Sequence, residues 1–159
     1  MRKKLKSDKM KMNFLNKRLF AILLLILAFI VLLFLSPWII WQFYNARAKK
    51  QNASKAYNSY RAALYYLNQL GYKRDNLGPQ EYALIIDKKF ETTFGTFSNV
   101  YQKLKYSSIL LTKSEEDIVA SFYKPFRVQM HKQVAFKTRF SKFLNIYNTI
   151  HYFTQPKTS

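Results

Sequence analysis

Every residue from Leu19 to Leu35 is apolar, and after Ser36-Pro37 the run resumes as Trp38-Ile39-Ile40-Trp41. A helix over this stretch has no polar face, which argues against the buried core helix of a water-soluble fold. Roughly 23 residues at the helical rise span about 34 Å, enough to cross a hydrocarbon core of about 30 Å. The helix satisfies its own backbone amides, as lipid requires. Trp38, Trp41 and Tyr44 then fall where an interfacial aromatic belt is expected, and Pro37 where head groups or water can replace its lost hydrogen bond. Ala46-Arg47-Ala48 has the small-x-small form of a signal-peptide cleavage site. The apolar run is longer than the usual h-region and the site lies well beyond it, so an uncleaved single-pass anchor in the cell (inner) membrane is the preferred reading.

The anchor leaves room for one compact domain. Hydrophobic residues are 49% of the 159-residue chain, and 27 basic against 8 acidic residues give a net charge of +19. That surplus suits anionic lipid, nucleic acid or an acidic protein partner. The chain has no cysteine, which excludes disulfides, thiolate metal sites and cysteine nucleophiles. Arg2, Lys3, Lys4, Lys6, Lys9, Lys11, Lys17 and Arg18 precede the span, while Arg47, Lys49, Lys50 and Lys55 follow it. The positive-inside rule therefore leans towards a cytoplasmic N-terminus and an exported domain.

Beyond the span, Tyr57, Tyr60, Leu64, Leu67 and Leu70 recur at helical spacing and stop at Gly71, a residue suited to ending a helix. Core packing is the expected role of the tyrosines. Pro79 fits the first turn of a second helix, with Glu81 complementing its dipole and Leu84, Ile85 and Phe90 on its inner side. A third helix is expected over Phe97 to Tyr106, carrying Phe97, Val100, Tyr101 and Leu104 inwards, while Glu91 to Thr96 has no clear local preference. Ser114 followed by Glu115, Glu116 and Asp117 reads as the capped start of a fourth, with Ile118, Val119, Phe122 and Phe126 inside. Pro125 should kink or end that helix, and Val128 to Tyr152 reads as one long amphipathic helix.

The expectation is an all-α chain: one N-terminal transmembrane helix followed by a small bundle of about four to five helices. Its parts are a basic tail over 1–18, the span over 19–42, a linker or helix continuation over 43–55, the helical domain over 56–153 and a frayed tail over 154–159.

The run Tyr60-Arg61-Ala62-Ala63-Leu64, then Leu67, Leu70-Gly71-Tyr72 and Gly78-Pro79-Gln80-Glu81-Tyr82-Ala83, carries a family resemblance, continued by Tyr101 and Tyr106 at an aromatic-x4-aromatic helix end. It resembles the C-terminal domain, of unknown function, of bacterial membrane-bound protein-glutamine gamma-glutamyltransferase-like proteins, over roughly residues 56 to 124. Gly71, Pro79, Glu81, Tyr82, Ala83, Tyr101 and Tyr106 are the motif positions in this chain. Where that family has a capping threonine this chain has Gly78, which offers no side-chain acceptor. The resemblance implies the accessory domain and a cytoplasmic side, opposite to the charge rule. The family's Cys-His-Asp chemistry belongs to a separate domain, and this cysteine-free chain cannot assemble that triad.

His131 and His151 lack carboxylates at metal-ligand spacing and read as helix-face residues, and Glu115, Glu116 and Asp117 as dipole-complementing charges. No catalytic residue, cofactor, metal or small-molecule substrate is expected. Lys132, Lys137, Arg139 and Lys142 are interleaved with Phe136, Phe140, Phe143, Leu144 and Tyr147. That pattern suits a helix with a solvated basic face, a helix lying on anionic lipid, or a nucleic-acid surface; tethering argues against nucleic acid. The functional expectation is a non-catalytic membrane-tethered interaction or scaffold module, with membrane lipids and a membrane or envelope protein as partners. The alternative is an accessory subunit of a membrane-bound transglutaminase- or protease-like enzyme encoded elsewhere.

Overall fold

The computed structural model describes residues 2–51, 54–107 and 109–154, with side chains from Lys17 onwards. Every regular element among them is helical. The tail expected to fray lies outside the described residues apart from Thr154, which closes the last helix. Backbone contacts divide the chain between Leu35 and Ser36. The first unit is the N-terminal part of α1 (Arg2–Lys49), whose apolar side chains from Leu19 to Leu35 are all exposed, the large ones from 38% at Leu35 to 70% at Leu25.

The second unit begins inside the same helix. Trp41, Tyr44, Asn45 and Ala48 are buried in the domain core, and Trp38 packs against it. These aromatics therefore do not form a free interfacial belt. Their rings are taken up by protein partners, with Phe143 at 5.8 Å from Trp38 and 5.4 Å from Trp41. Pro37 is also buried rather than set among head groups. The buried Lys55 ammonium donates to the Ala48 carbonyl at 2.7 Å, a cation placed on the carbonyl end of α1.

Helix α2 (Lys55–Gln69) is the centre of the bundle and packs on four later helices. It is buried on most of its circumference, because Ala56, Ser59, Ala62 and Ala63 give neighbours close approach between Tyr60, Tyr65, Tyr66 and Leu67. Tyr57, expected inside, is 49% exposed. Gly71 (φ +95) ends the helix, with its N–H donating to Asn68 and that of Tyr72 to Leu67. This pair of bonds is a Schellman motif, and glycine supplies the left-handed residue it needs.

Helices α3 (Pro79–Phe90) and α4 (Phe94–Tyr106) form a hairpin. The inner face of α3 is Tyr82, Ala83, Ile86 and Phe90, whereas Leu84 and Ile85 are exposed. The stripe is therefore rotated from the expected one, because Tyr82 rather than Leu84 is the residue α2 and α4 need beneath Tyr60 and Phe94. The segment without clear preference is organised by Asp87, whose carboxylate accepts from the Phe94 and Gly95 N–H groups at 2.7 and 2.8 Å. A negative charge thus caps the N-terminus of α4 from the preceding helix. Leu104, expected inside, is 44% exposed.

The cap of helix α5 (Lys113–Ser121) lies two residues before the predicted one: Thr112, not Ser114, is the N-cap, and it forms a reciprocal capping box with Glu115. Pro125 falls in the first turn of α6 (Tyr123–Gln133), after a break at Phe122. Phe122 stacks flat on Phe97 with centroids 3.9 Å apart.

The single long helix expected from Val128 to Tyr152 is instead the end of α6, then α7 (Phe136–Phe143) and α8 (Ile146–Thr154). Val134 turns extended (φ −117, ψ 114) to pack on the core. Asn145 accepts from the Tyr147 N–H at 3.0 Å, starting a new helix in the manner of an N-cap. The second break lets α8 fold back along α2, where Asn68 donates to the Asn148 carbonyl (2.6 Å) and Asn148 to the Gln69 carbonyl (3.1 Å). The bundle consequently has more, shorter helices than the sequence periodicity implied.

Candidate functional site

Of the motif residues of the family resemblance, Gly71, Pro79, Tyr82, Ala83 and Tyr101 end, open or pack helices, whereas Glu81 and Tyr106 are exposed. Gly71 ends α2, Pro79 opens α3, and Glu81 is exposed in its first turn. Ala83 is fully enclosed, and the buried Tyr82 hydroxyl donates to the Tyr72 carbonyl at 2.8 Å, tying α3 to the loop behind Gly71. Tyr101 stacks on Tyr60 at 4.1 Å, and burial pushes its phenol up to about 12. Tyr106 is exposed and lies under the Lys105 ammonium.

The basic residues at the C-terminal end divide into two sets. Lys132 on α6 and Lys137 and Lys142 on α7 are exposed. Phe136 and Phe140, stacked 6.2 Å apart, are exposed on the same helix as Lys137 and Lys142; Tyr147, Ile150 and Phe153 are exposed on α8, where Tyr147 lies under the Lys73 ammonium. Lysines flanking uncovered aromatic and aliphatic side chains are the composition of a surface that seats in lipid head groups.

Arg139 departs from this set. It is half-buried, with its Nε enclosed, and lies beside the Tyr66 hydroxyl without closing a hydrogen bond to it. His131, expected on a helix face, is also drawn in: its ring lies 6.4 Å from that of Trp41 and 6.2 Å from that of Tyr66. Arg127 completes the group and donates to Asn45 Oδ1 at 3.2 Å, an acceptor shared with the Tyr123 hydroxyl. Burial, then Arg139 and Arg127, hold the His131 imidazole below its usual value, and burial raises the Tyr66 phenol.

The Trp41 indole N–H, the Tyr66 hydroxyl, Arg139 Nε and His131 Nε2 are enclosed with no hydrogen-bond partner. Each such buried polar group left unpaired costs about 1–3 kcal/mol, and native structures hold few of them without a cause. This cluster was invisible to sequence reasoning, because α1, α2, α6 and α7 each contribute residues at no fixed spacing. Among the described residues, no group of three or more His, Cys, Asp or Glu is placed to hold a metal ion.

Comparison with protein families, curated proteins and solved structures returns no match for the chain.

Proposed function

We propose that this chain is a single-pass, membrane-tethered, non-catalytic interaction module of the accessory-domain kind its sequence resembles, working against anionic lipid and alongside a membrane or envelope protein. The observation that carries this reading is the change of character within α1. Leu19 to Leu35 present apolar side chains to the surroundings on every side, whereas Trp41, Tyr44 and Ala48 of the same helix are core residues of a packed bundle. An uncovered helix of that composition is stable only in lipid. The exposed apolar tip between α4 and α5, with Tyr106, Ile109 and Leu110, adds a surface fit for a protein partner.

Alkaline carbonate and high-salt washes of membranes containing the full chain test the tether. The protein should stay in the pellet, since burial of apolar surface does not depend on charge; release into the supernatant refutes the reading. Intact mass adds an independent check. A mature product beginning at Lys49 would mean a cleaved signal peptide, and would also strip Trp41, Tyr44 and Ala48 from the core.

A further inference from the structure

Asp117 is the last acidic residue of the chain, and Lys124, Arg127, Lys132, Lys137, Arg139 and Lys142 follow it. The lysines carry their charge into solvent, while the two arginines are the ones drawn in. There they meet the Trp41 indole N–H, the Tyr66 hydroxyl and His131 Nε2, all enclosed. The indole N–H of Trp41 and the guanidinium N–H groups only donate, and the one amide acceptor engaged, Asn45 Oδ1, already serves Arg127 and Tyr123. Trp41 and Tyr66, at 5% and 3% exposure, hold their polar atoms enclosed and unpartnered beside them.

Two cations beside enclosed donors that have no partner are the complement of an oxyanion. Planar guanidinium forks from two helices, with an indole N–H and a phenol added, suit a group offering several oxygens in different directions, which a phosphate does and a single carbonyl does not. Both arginines keep part of their surface in solvent, on the side from which an anion would come. We propose that Arg127, Arg139, His131, Trp41 and Tyr66 form a binding site for a phosphate group, carried either by an anionic phospholipid head group or by inorganic phosphate. The lipid source rests on the proposed tether, because Trp41 closes the apolar run that would lie in the bilayer; the phosphate chemistry does not.

The test uses the full chain in non-ionic detergent. Trp38 and Trp41 are its two tryptophans, so intrinsic fluorescence reads the site directly. One arm titrates inorganic phosphate against chloride at equal ionic strength; the other titrates a short-chain phosphatidylglycerol against the matching phosphatidylcholine. A saturable change in at least one arm, weakened about tenfold or more in R127Q/R139Q, supports the site. Saturation by phosphatidylglycerol alone assigns it to the lipid head group, and saturation by inorganic phosphate to the free anion. The variant K132Q/K137Q/K142Q should keep the saturable component while losing binding to vesicles containing phosphatidylglycerol. Should R127Q/R139Q misfold, R127K/R139K preserves charge but not the forks and should still bind more weakly than the wild type. No saturation in either arm, equal saturation by phosphatidylcholine, or unchanged curves in the arginine variants overturns the proposal. Carbonate extraction of the wild type reports on the tether separately.

Discussion

Four groups in the middle of the bundle make a directional chain that can be taken apart one link at a time. Gln69 Nε2 donates to Thr149 Oγ1 at 2.6 Å, Thr149 and the Tyr65 hydroxyl are 3.0 Å apart, and Tyr65 donates to the Pro37 carbonyl at 3.0 Å. With Tyr65 giving its proton to Pro37, Thr149 must give its own to Tyr65. The chain thus joins α2, α8 and the first domain turn of α1. Burial, opposed by the hydrogen bonds from Thr149 and Gln69, raises the Tyr65 phenol to about 12, so it remains a donor at any working pH. Tyr65→Phe leaves the Thr149 hydroxyl without its acceptor and should cost about 1–2 kcal/mol; Thr149→Val strands the Gln69 amide and should cost about 2 kcal/mol. Because they share one bond, the double variant should cost less than the sum by about 0.5–1 kcal/mol. The assay is urea unfolding of the full chain in non-ionic detergent, followed by tryptophan fluorescence. If the two losses add within about 0.3 kcal/mol, the α8 docking geometry and the inference of a folded-back C-terminus are refuted.

Two further outcomes are expected. A Cβ at Gly95 would lie 2.9 Å from Asp87 Oδ2, so Gly95→Ala should push the carboxylate off the α4 N-terminus and cost about 1–3 kcal/mol in the same assay; a loss below about 0.5 kcal/mol would argue against that cap. The unfolded His131 imidazole takes up its proton near its ordinary value of 6.5, the folded one only at lower pH. In that window the unfolded state binds more protons, so stability should fall as pH drops below about 6.5. The groups facing His131 are Arg127, Arg139, Tyr66 and Trp41. The dependence of melting temperature on pH between 7.5 and 5.5 should flatten in His131→Gln, and an unchanged slope would refute this assignment.

The parts of this fold that local chemistry dictates are legible in the chain: an apolar run with no polar face, a glycine able to end α2, a proline opening α3. The parts set by tertiary contact are not. Trp38 and Trp41 look like belt residues, because nothing local says that Phe143 and Tyr66 will cover them. The helical period from Val128 to Tyr152 is genuine in each of its pieces, since breaks at Val134 and Asn145 barely disturb the spacing of the aromatics. Asn145 was the readable signal, a short polar side chain able to cap a new helix. Thr112 likewise stands three residues before Glu115, as a capping box requires, and was masked by the more acidic-looking start at Ser114. Leu84 and Ile85 show the limit of hydrophobicity as a guide: two aliphatic residues stay outside while the polar-tipped Tyr82 goes in, because its hydroxyl has the Tyr72 carbonyl to meet.

The separation of lysine from arginine along α6 and α7 follows from the same reasoning about what each head group needs. An ammonium is compact and strongly hydrated, so Lys132, Lys137 and Lys142 lose least by staying in water, where charge attraction to a surface acts without fixed geometry. A guanidinium is less strongly hydrated and makes oriented bonds from a rigid plane, so Arg127 and Arg139 tolerate a half-buried position among aromatic rings. Such a position is unfavourable without an acceptor; Arg127 has Asn45 Oδ1 at 3.2 Å, whereas Arg139 Nε has none. Exposed lysines beside Phe136 and Phe140 suit a diffuse, salt-sensitive attraction, whereas the inward arginines suit a single bound anion. Exchanging arginine for lysine at 127 and 139 should therefore weaken the saturable site while leaving the diffuse attraction in place, a distinction that net charge alone does not predict.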